Sequence, residues 1–143
     1  MPTIDKAIKM LSAEEGRKQF PYRCPAGKLT IGVGRNIEDR GVSNATIDQM
    51  LAEDIDLFLQ VAADIFGPLF ADFTENRQLA ILNMLFQLGE SRFRMFKETI
   101  KAIKSKDWDA AAAHAGASAW AKQTPQRAAR VINMLRTDQY PYG

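Results

Sequence analysis

The 143-residue chain is predicted to be a mainly helical α+β protein. Two features of the sequence carry that prediction. Apolar residues recur at helical spacing along most of its length, and β-type texture is confined to one stretch between Phe20 and Gly34. With 46% hydrophobic and 25% charged residues, the composition also allows a real core. No low-complexity run, Gly/Ser linker or internal repeat interrupts it.

Taken in order, Ile4, Ala7, Ile8 and Leu11 follow Thr3, a capping residue type, so residues 3–15 form an amphipathic helix. Gly16 stops it after Glu14-Glu15. Phe20-Pro21-Tyr22, a Pro25-Ala26-Gly27 turn, and Leu29-Thr30-Ile31-Gly32-Val33-Gly34 make a short β-hairpin with glycines at its far end. Residues 36–41 are polar and loop-like. Between 43 and 66, Ile47, Met50, Leu51, Ile55, Phe58, Leu59 and Ala62 mark a helix long enough to bridge two lobes, closed by Gly67-Pro68. Residues 76–88 are apolar nearly all round, as in a helix buried at the centre of a larger lobe, and Gly89 ends it. Helices over 96–104 and 107–117 follow. Thr124-Pro125 reads as an N-cap with Pro at the first helical position, opening a last helix to about Leu135.

One domain over 1–143 is expected. Its small lobe spans about 13–45, its linking helix about 46–66, and its helical lobe about 67–143 together with the N-terminal helix. Such an order leaves a cleft between hairpin and bundle, where an extended substrate can lie.

The net charge of +2 hides an asymmetry. Residues 1–91 carry nine positive and thirteen negative charges, net −4, and residues 92–143 carry ten and four, net +6. A basic half favours an anionic polymer such as a bacterial envelope or a nucleic acid, yet a solvated helical surface gives the same pattern. No nucleic-acid motif accompanies it. The N-terminus lacks the apolar stretch of a secretory signal, and no run approaches the roughly 20 apolar residues of a membrane span. One Cys excludes an internal disulfide and suits a reducing cytoplasm. One His and one Cys argue against a metal centre, and no cofactor is expected.

Glu15, Cys24 and Thr30 stand on the first helix end and the hairpin. A helix end, with unpaired carbonyls and the negative dipole end, disfavours a carboxylate charge, the setting a general acid uses. A surface Glu beside a glycine stop would look the same.

These residues carry a resemblance. Glu15, eight intervening residues, Cys24, five intervening residues, Thr30, then Ile31-Gly32-Val33-Gly34 resembles the catalytic stretch of the T-even phage lysozymes, glycoside hydrolase family 24. Leu82-Asn83-Met84-Leu85-Phe86-Gln87-Leu88-Gly89-Glu90 is similar to that family's buried central helix. Lys106-Asp107-Trp108-Asp109-Ala110-Ala111 and the run from Ser118 to Ile132 resemble its C-terminal lobe.

The resemblance implies a lysozyme-like fold and hydrolysis of the β-1,4 bond between N-acetylmuramic acid and N-acetylglucosamine. Glu15 would protonate the leaving oxygen, Thr30 would hold the attacking water, and Cys24 would orient and activate it, with inversion at the sugar. Arg127 matches the family's arginine that pairs with the catalytic Glu. Asn36, Phe86, Thr99 and His114 fall at sugar-contacting positions, with Gln87 and Trp120 beside them. Core packing is the competing role for Phe86 and Trp120, and a surface position for His114. The resemblance further implies an endolysin: a monomer held in the host cytoplasm without stable membrane association, released through a holin lesion, and acting on periplasmic peptidoglycan.

Two departures stand out. Cys24 replaces the family's commoner Asp, and a thiol with a pKa of about 8.5 is mostly neutral unless its surroundings lower it, as Arg23 next door could. Residues 36–41 form a segment much shorter than the family's, and Arg35 stands where a His is frequent. A lytic transglycosylase, ending on an anhydro sugar with no added water, and a non-catalytic wall-binding or virion module are the rival expectations. Nucleic-acid binding stands behind them.

Overall fold

The structure is a computed structural model that describes residues 2–143. Its elements run α1 (Ile4–Glu15), β1 (Lys18–Arg23), β2 (Leu29–Gly32), β3 (Arg35–Asn36), α2 (Ile37–Arg40), α3 (Asn44–Phe66), α4 (Leu69–Asp72), α5 (Glu75–Leu88), α6 (Glu90–Arg94), α7 (Lys97–Lys104), α8 (Trp108–Gly116), α9 (Ala119–Gln123) and α10 (Pro125–Thr137). The mainly helical α+β class holds, with one antiparallel sheet in the order β1-β2-β3. Contacts divide the chain into two compact units, and the division falls inside α3, between Gln49 and Met50. They group α1 with the strands, whereas the sequence reading attaches it to the helical lobe.

In the first unit, α1 ends where its pattern stops. Gly16, at φ 74°, donates its N–H to Ser12 O at 2.9 Å. Thr3 precedes the helix, but its side chain makes no capping bond. Strand β1 lies antiparallel to β2 with Tyr22 opposite Thr30 and Arg23 opposite Leu29, and the register shifts between Lys18 and Tyr22. Pro21 falls in that irregular stretch, where a missing ladder donor costs least. The turn closes through Gly27 N–H to Cys24 O at 2.7 Å and Cys24 N–H to Lys28 O at 2.9 Å.

Residues 36–41 are not the plain loop expected. The Asn36 side chain accepts from Asp39 N–H at 3.1 Å and so caps α2, turning a polar run into a helical turn. Arg23 to Glu38 at 2.8 Å and Lys28 to Asp39 at 3.3 Å tie the hairpin turn to that helix.

The second unit is built around α5 and α10. Ala80, Ile81, Met84, Leu85 and Leu88 of α5 are buried, as are Ala128, Val131, Met134 and Leu135 of α10. Phe66 anchors a ring cluster, with centroids 6.3 Å from Phe70, 5.8 Å from Phe73 and 6.4 Å from Phe93. Arg77 closes the far end of α10. Its Nε donates to Leu135 O at 2.8 Å and its Nη2 to Arg136 O at 3.1 Å, while the guanidinium lies 4.4 Å from the Trp108 ring centroid.

Helices α4, α6 and α9 have four or five residues each, too few for an apolar period to register. Pro125 does open α10, but the Thr124 hydroxyl donates to Trp120 O at 3.0 Å and caps nothing. Among the described residues no helix is long and apolar enough to cross a membrane.

Candidate active site

The three residues expected to be catalytic lie in the first unit. Glu15 is the exposed last residue of α1. Its carboxylate rests over the backbone of Gly34, so close that a Cβ at position 34 would stand 2.9 Å from Glu15 Oε2 and 3.2 Å from its Cδ. Gly34 also has φ +65°. The positive φ favours glycine there, and any Cβ would push the Glu15 carboxylate aside. The sequence offers Gly34 as a hairpin-end glycine and as the last residue of the family-like run, and neither reading shows that it lies under Glu15.

Cys24 and Thr30 are brought together by the β1–β2 pairing. Thr30 is 3% exposed, the buried centre of β2, with Tyr22 on one side and Asn36 on the other. Its hydroxyl donates to Lys28 O at 2.9 Å, the same carbonyl that accepts the Cys24 N–H. Cys24 is half-buried. Its thiol is held below the ordinary thiol range, chiefly by the Lys28 backbone N–H. Partial burial opposes that lowering, and the Ala26 amide adds to it.

Arg23 is not the cause. Its guanidinium donates to Glu38 at 2.8 Å and to Gly27 O at 3.2 Å. The lowering of the Cys24 thiol comes from the turn backbone and not from Arg23. Arg35 spends its Nε on Gly41 O at 3.0 Å. Asn36 is occupied at both ends of its amide, accepting from Asp39 N–H and donating to Asp39 Oδ2 at 3.1 Å.

The other expected substrate contacts lie in the second unit and fall into two groups. Thr99, His114 and Trp120 line one groove of about 570 Å³, with Arg92, Phe96, Lys97 and Ser118. Thr99 and Trp120 are buried beneath it and His114 is exposed. Gln87 belongs to this group by bonding: the Trp120 indole N–H donates to Gln87 Oε1 at 2.9 Å, and Gln87 Nε2 donates to Thr124 Oγ1 at 3.4 Å. That chain fixes the indole and leaves Trp120, 3% exposed and edge-on to Phe96 at 6.3 Å, packed as core. Phe86 lines a separate groove of about 260 Å³ with Asn83, Arg127 and Tyr142, its ring 41% exposed and 5.8 Å from Phe58. Arg127 is held from within its own unit, its Nε donating to Asn83 Oδ1 at 2.9 Å. The lining residues Arg92, Phe96 and Ser118 are unmarked in the sequence, since none belongs to a chemical motif.

A model of the phage lysozyme family matches residues 12–136. That span holds Glu15, Cys24 and Thr30. The chain is 28% identical to the Probable T4-type lysozyme 1 of Dictyostelium discoideum and 26% identical to its Probable T4-type lysozyme 2; each comparison covers 90% of this chain and 92% of the relative. It is 27% identical to an endolysin of Acyrthosiphon pisum secondary endosymbiont phage 1, over 79% of this chain and 77% of that protein. A match of this extent on a mainly helical α+β fold shows that the chain belongs to the phage lysozyme family.

Proposed function

We propose that this family member is an endolysin that hydrolyses the β-1,4 bond between N-acetylmuramic acid and N-acetylglucosamine of peptidoglycan. Glu15 is the general acid and delivers its proton to the leaving glycosidic oxygen. Thr30 binds the attacking water through the lone pairs its hydroxyl keeps after donating to Lys28 O. Cys24, as thiolate, accepts the proton which that water loses, and the anomeric configuration inverts. The observation that carries the reading is the pairing of a half-buried thiol with a buried Thr hydroxyl, in the unit where a Glu carboxylate is seated on glycine.

A thiolate is a weaker electrostatic partner than a carboxylate for an oxocarbenium-like transition state. Its turn amides offset part of that deficit by favouring the ionised form. In the second unit, the groove beside Thr99, His114 and Trp120, and the exposed face of Phe86, supply sugar contacts. Arg127 supports the acid, and Asn36 contributes through the α2 cap. The protein acts as a monomer, is held in the host cytoplasm until a holin lesion releases it, and then lyses the wall.

The test is Glu15→Gln assayed on purified sacculi, with mass spectrometry of the wild-type products. The reading requires that wild-type products gain one water and that the variant is inactive while still folded. A variant that retains most activity removes Glu15 from its role. Anhydro products convert the reading to a transglycosylase.

A further inference from the structure

The second unit carries a basic surface of which only Arg92 and Lys97 border the proposed sugar groove. Residues 90–106, covering α6, the following turn and α7, hold six basic and two acidic side chains, net +4, against +2 for the whole chain. Lys97, Lys101 and Lys104 recur at i, i+4 and i+7 and so stand on one face of α7, whose opposite face buries Thr99, Ala102 and Ile103. With Arg94, Ile65, Ile100 and Ser105 they line a groove of about 460 Å³. Among the described residues the three lysines make no ion pair. Nearby acids are few: Glu90 is engaged with Arg94 at 2.8 Å, and Glu98 lines the adjoining groove.

A second observation lies at the corner between the two helices. Met95, flanked by Arg94 and Lys97, is 76% exposed, the most exposed large hydrophobic side chain of this unit. Unpaired ammonium groups gathered on one face repel one another, which a polyanion relieves. Lysine is a compact point charge suited to phosphate. Planar carboxylates are better matched by arginine forks, and the Arg94 fork is already engaged by Glu90. An exposed flexible apolar side chain set among cations fits a headgroup region, where both kinds of group find partners.

We propose that the α6–α7 corner is a docking surface for an anionic phospholipid bilayer. Met95 enters between the headgroups, and Arg92, Lys97, Lys101 and Lys104 meet the lipid phosphates. The inner face of α7 stays in the core, so the contact is peripheral, reversible and weakened by salt. It is thus distinct from the stable membrane association that the sequence gives no reason to expect.

The test uses the full chain and vesicles of phosphatidylglycerol with phosphatidylcholine. Lys101→Gln with Lys104→Gln changes only residues that do not line the groove beside Thr99, His114 and Trp120. At low salt the wild type should sediment with these vesicles and not with phosphatidylcholine alone. The double variant should partition at least tenfold less, with its circular dichroism and its hydrolysis of sacculi unchanged. A Met95→Trp variant should shift its emission to the blue on binding. Failure of the wild type to bind at low salt, equal binding of the double variant, or loss of binding confined to sacculi or a DNA duplex would each overturn the proposal.

Discussion

The two units solve the problem of holding shape by different means. Every buried hydrophobic side chain among the described residues lies between Val61 and Leu135, in the second unit. Among its described residues the first unit buries only one, the polar Thr30, and α1 buries none. Its shape comes instead from a hairpin turn, positive-φ glycines, the Asn36 cap and a small ion cluster. The proposed acid, thiol and threonine sit in this thinly packed unit. What the difference teaches is a division of labour. Apolar burial in the helical unit supplies most of the folding free energy, and the proposed Cys24 and Thr30 pair is placed by backbone-directed bonds.

The sharpest way to break this comparison is Glu15→Gln. If the first unit carries chemistry and little stability, reducing-end release from sacculi should fall by roughly 10²- to 10⁴-fold while the thermal midpoint scarcely moves. The mirror experiment is Phe93→Ala, which empties a fully buried ring site at the Phe66 cluster. It should cost about 3–5 kcal/mol in urea unfolding and leave kcat per folded molecule near wild type. A kcat loss larger than the stability loss would mean that the two units do not divide the work.

Next comes Arg77→Ala. It removes two hydrogen bonds to the last carbonyls of α10 and a ring contact with Trp108. We expect about 2 kcal/mol of destabilisation and an unchanged KM. Gly34→Ala inverts that pattern. The new Cβ meets Glu15 Oε2 and the backbone must hold a left-handed φ, a strain of about 1–2 kcal/mol. Activity should fall further than stability because the carboxylate is displaced.

The smallest effect is the titration of Cys24. The folded-state value is lowered, so iodoacetamide should modify the folded protein at a pH below the ordinary thiol midpoint, and the midpoint should rise in urea. The sign for stability follows from the same shift. This contribution is present above the unfolded thiol range and is lost as pH falls through the folded value. Coincident alkylation midpoints in the folded and unfolded protein would remove the thiolate from the mechanism.

Much of the fold was legible in advance because it is written locally. A 3.6-residue apolar period, glycines after the first, long and central helices, and a Pro at the start of the last helix each act over a few residues, and the bounds of α1, α3, α5, α7, α8 and α10 follow them closely. The short helices α2, α4, α6 and α9 offered barely one turn, so no period could form, although the structure caps two of them at Asn36 and Ser118. The residues proposed as catalytic were picked out by spacing that matches the family: Glu15, Cys24 and Thr30 lie within sixteen residues on one helix end and one hairpin.

The partners of each side chain were decided only in three dimensions. The sequence by itself determined which residue types could do chemistry and how far apart along the chain they stand. Tertiary structure sent Arg23 to Glu38 and away from Cys24, gave the thiol its donors from the turn amides, set Gly34 under Glu15, and tied Trp120 to Gln87 across thirty-three positions. The reason is range. Backbone propensity and capping are settled among neighbours a turn apart, whereas hydrogen bonds and packing between distant segments depend on where the whole chain has already folded.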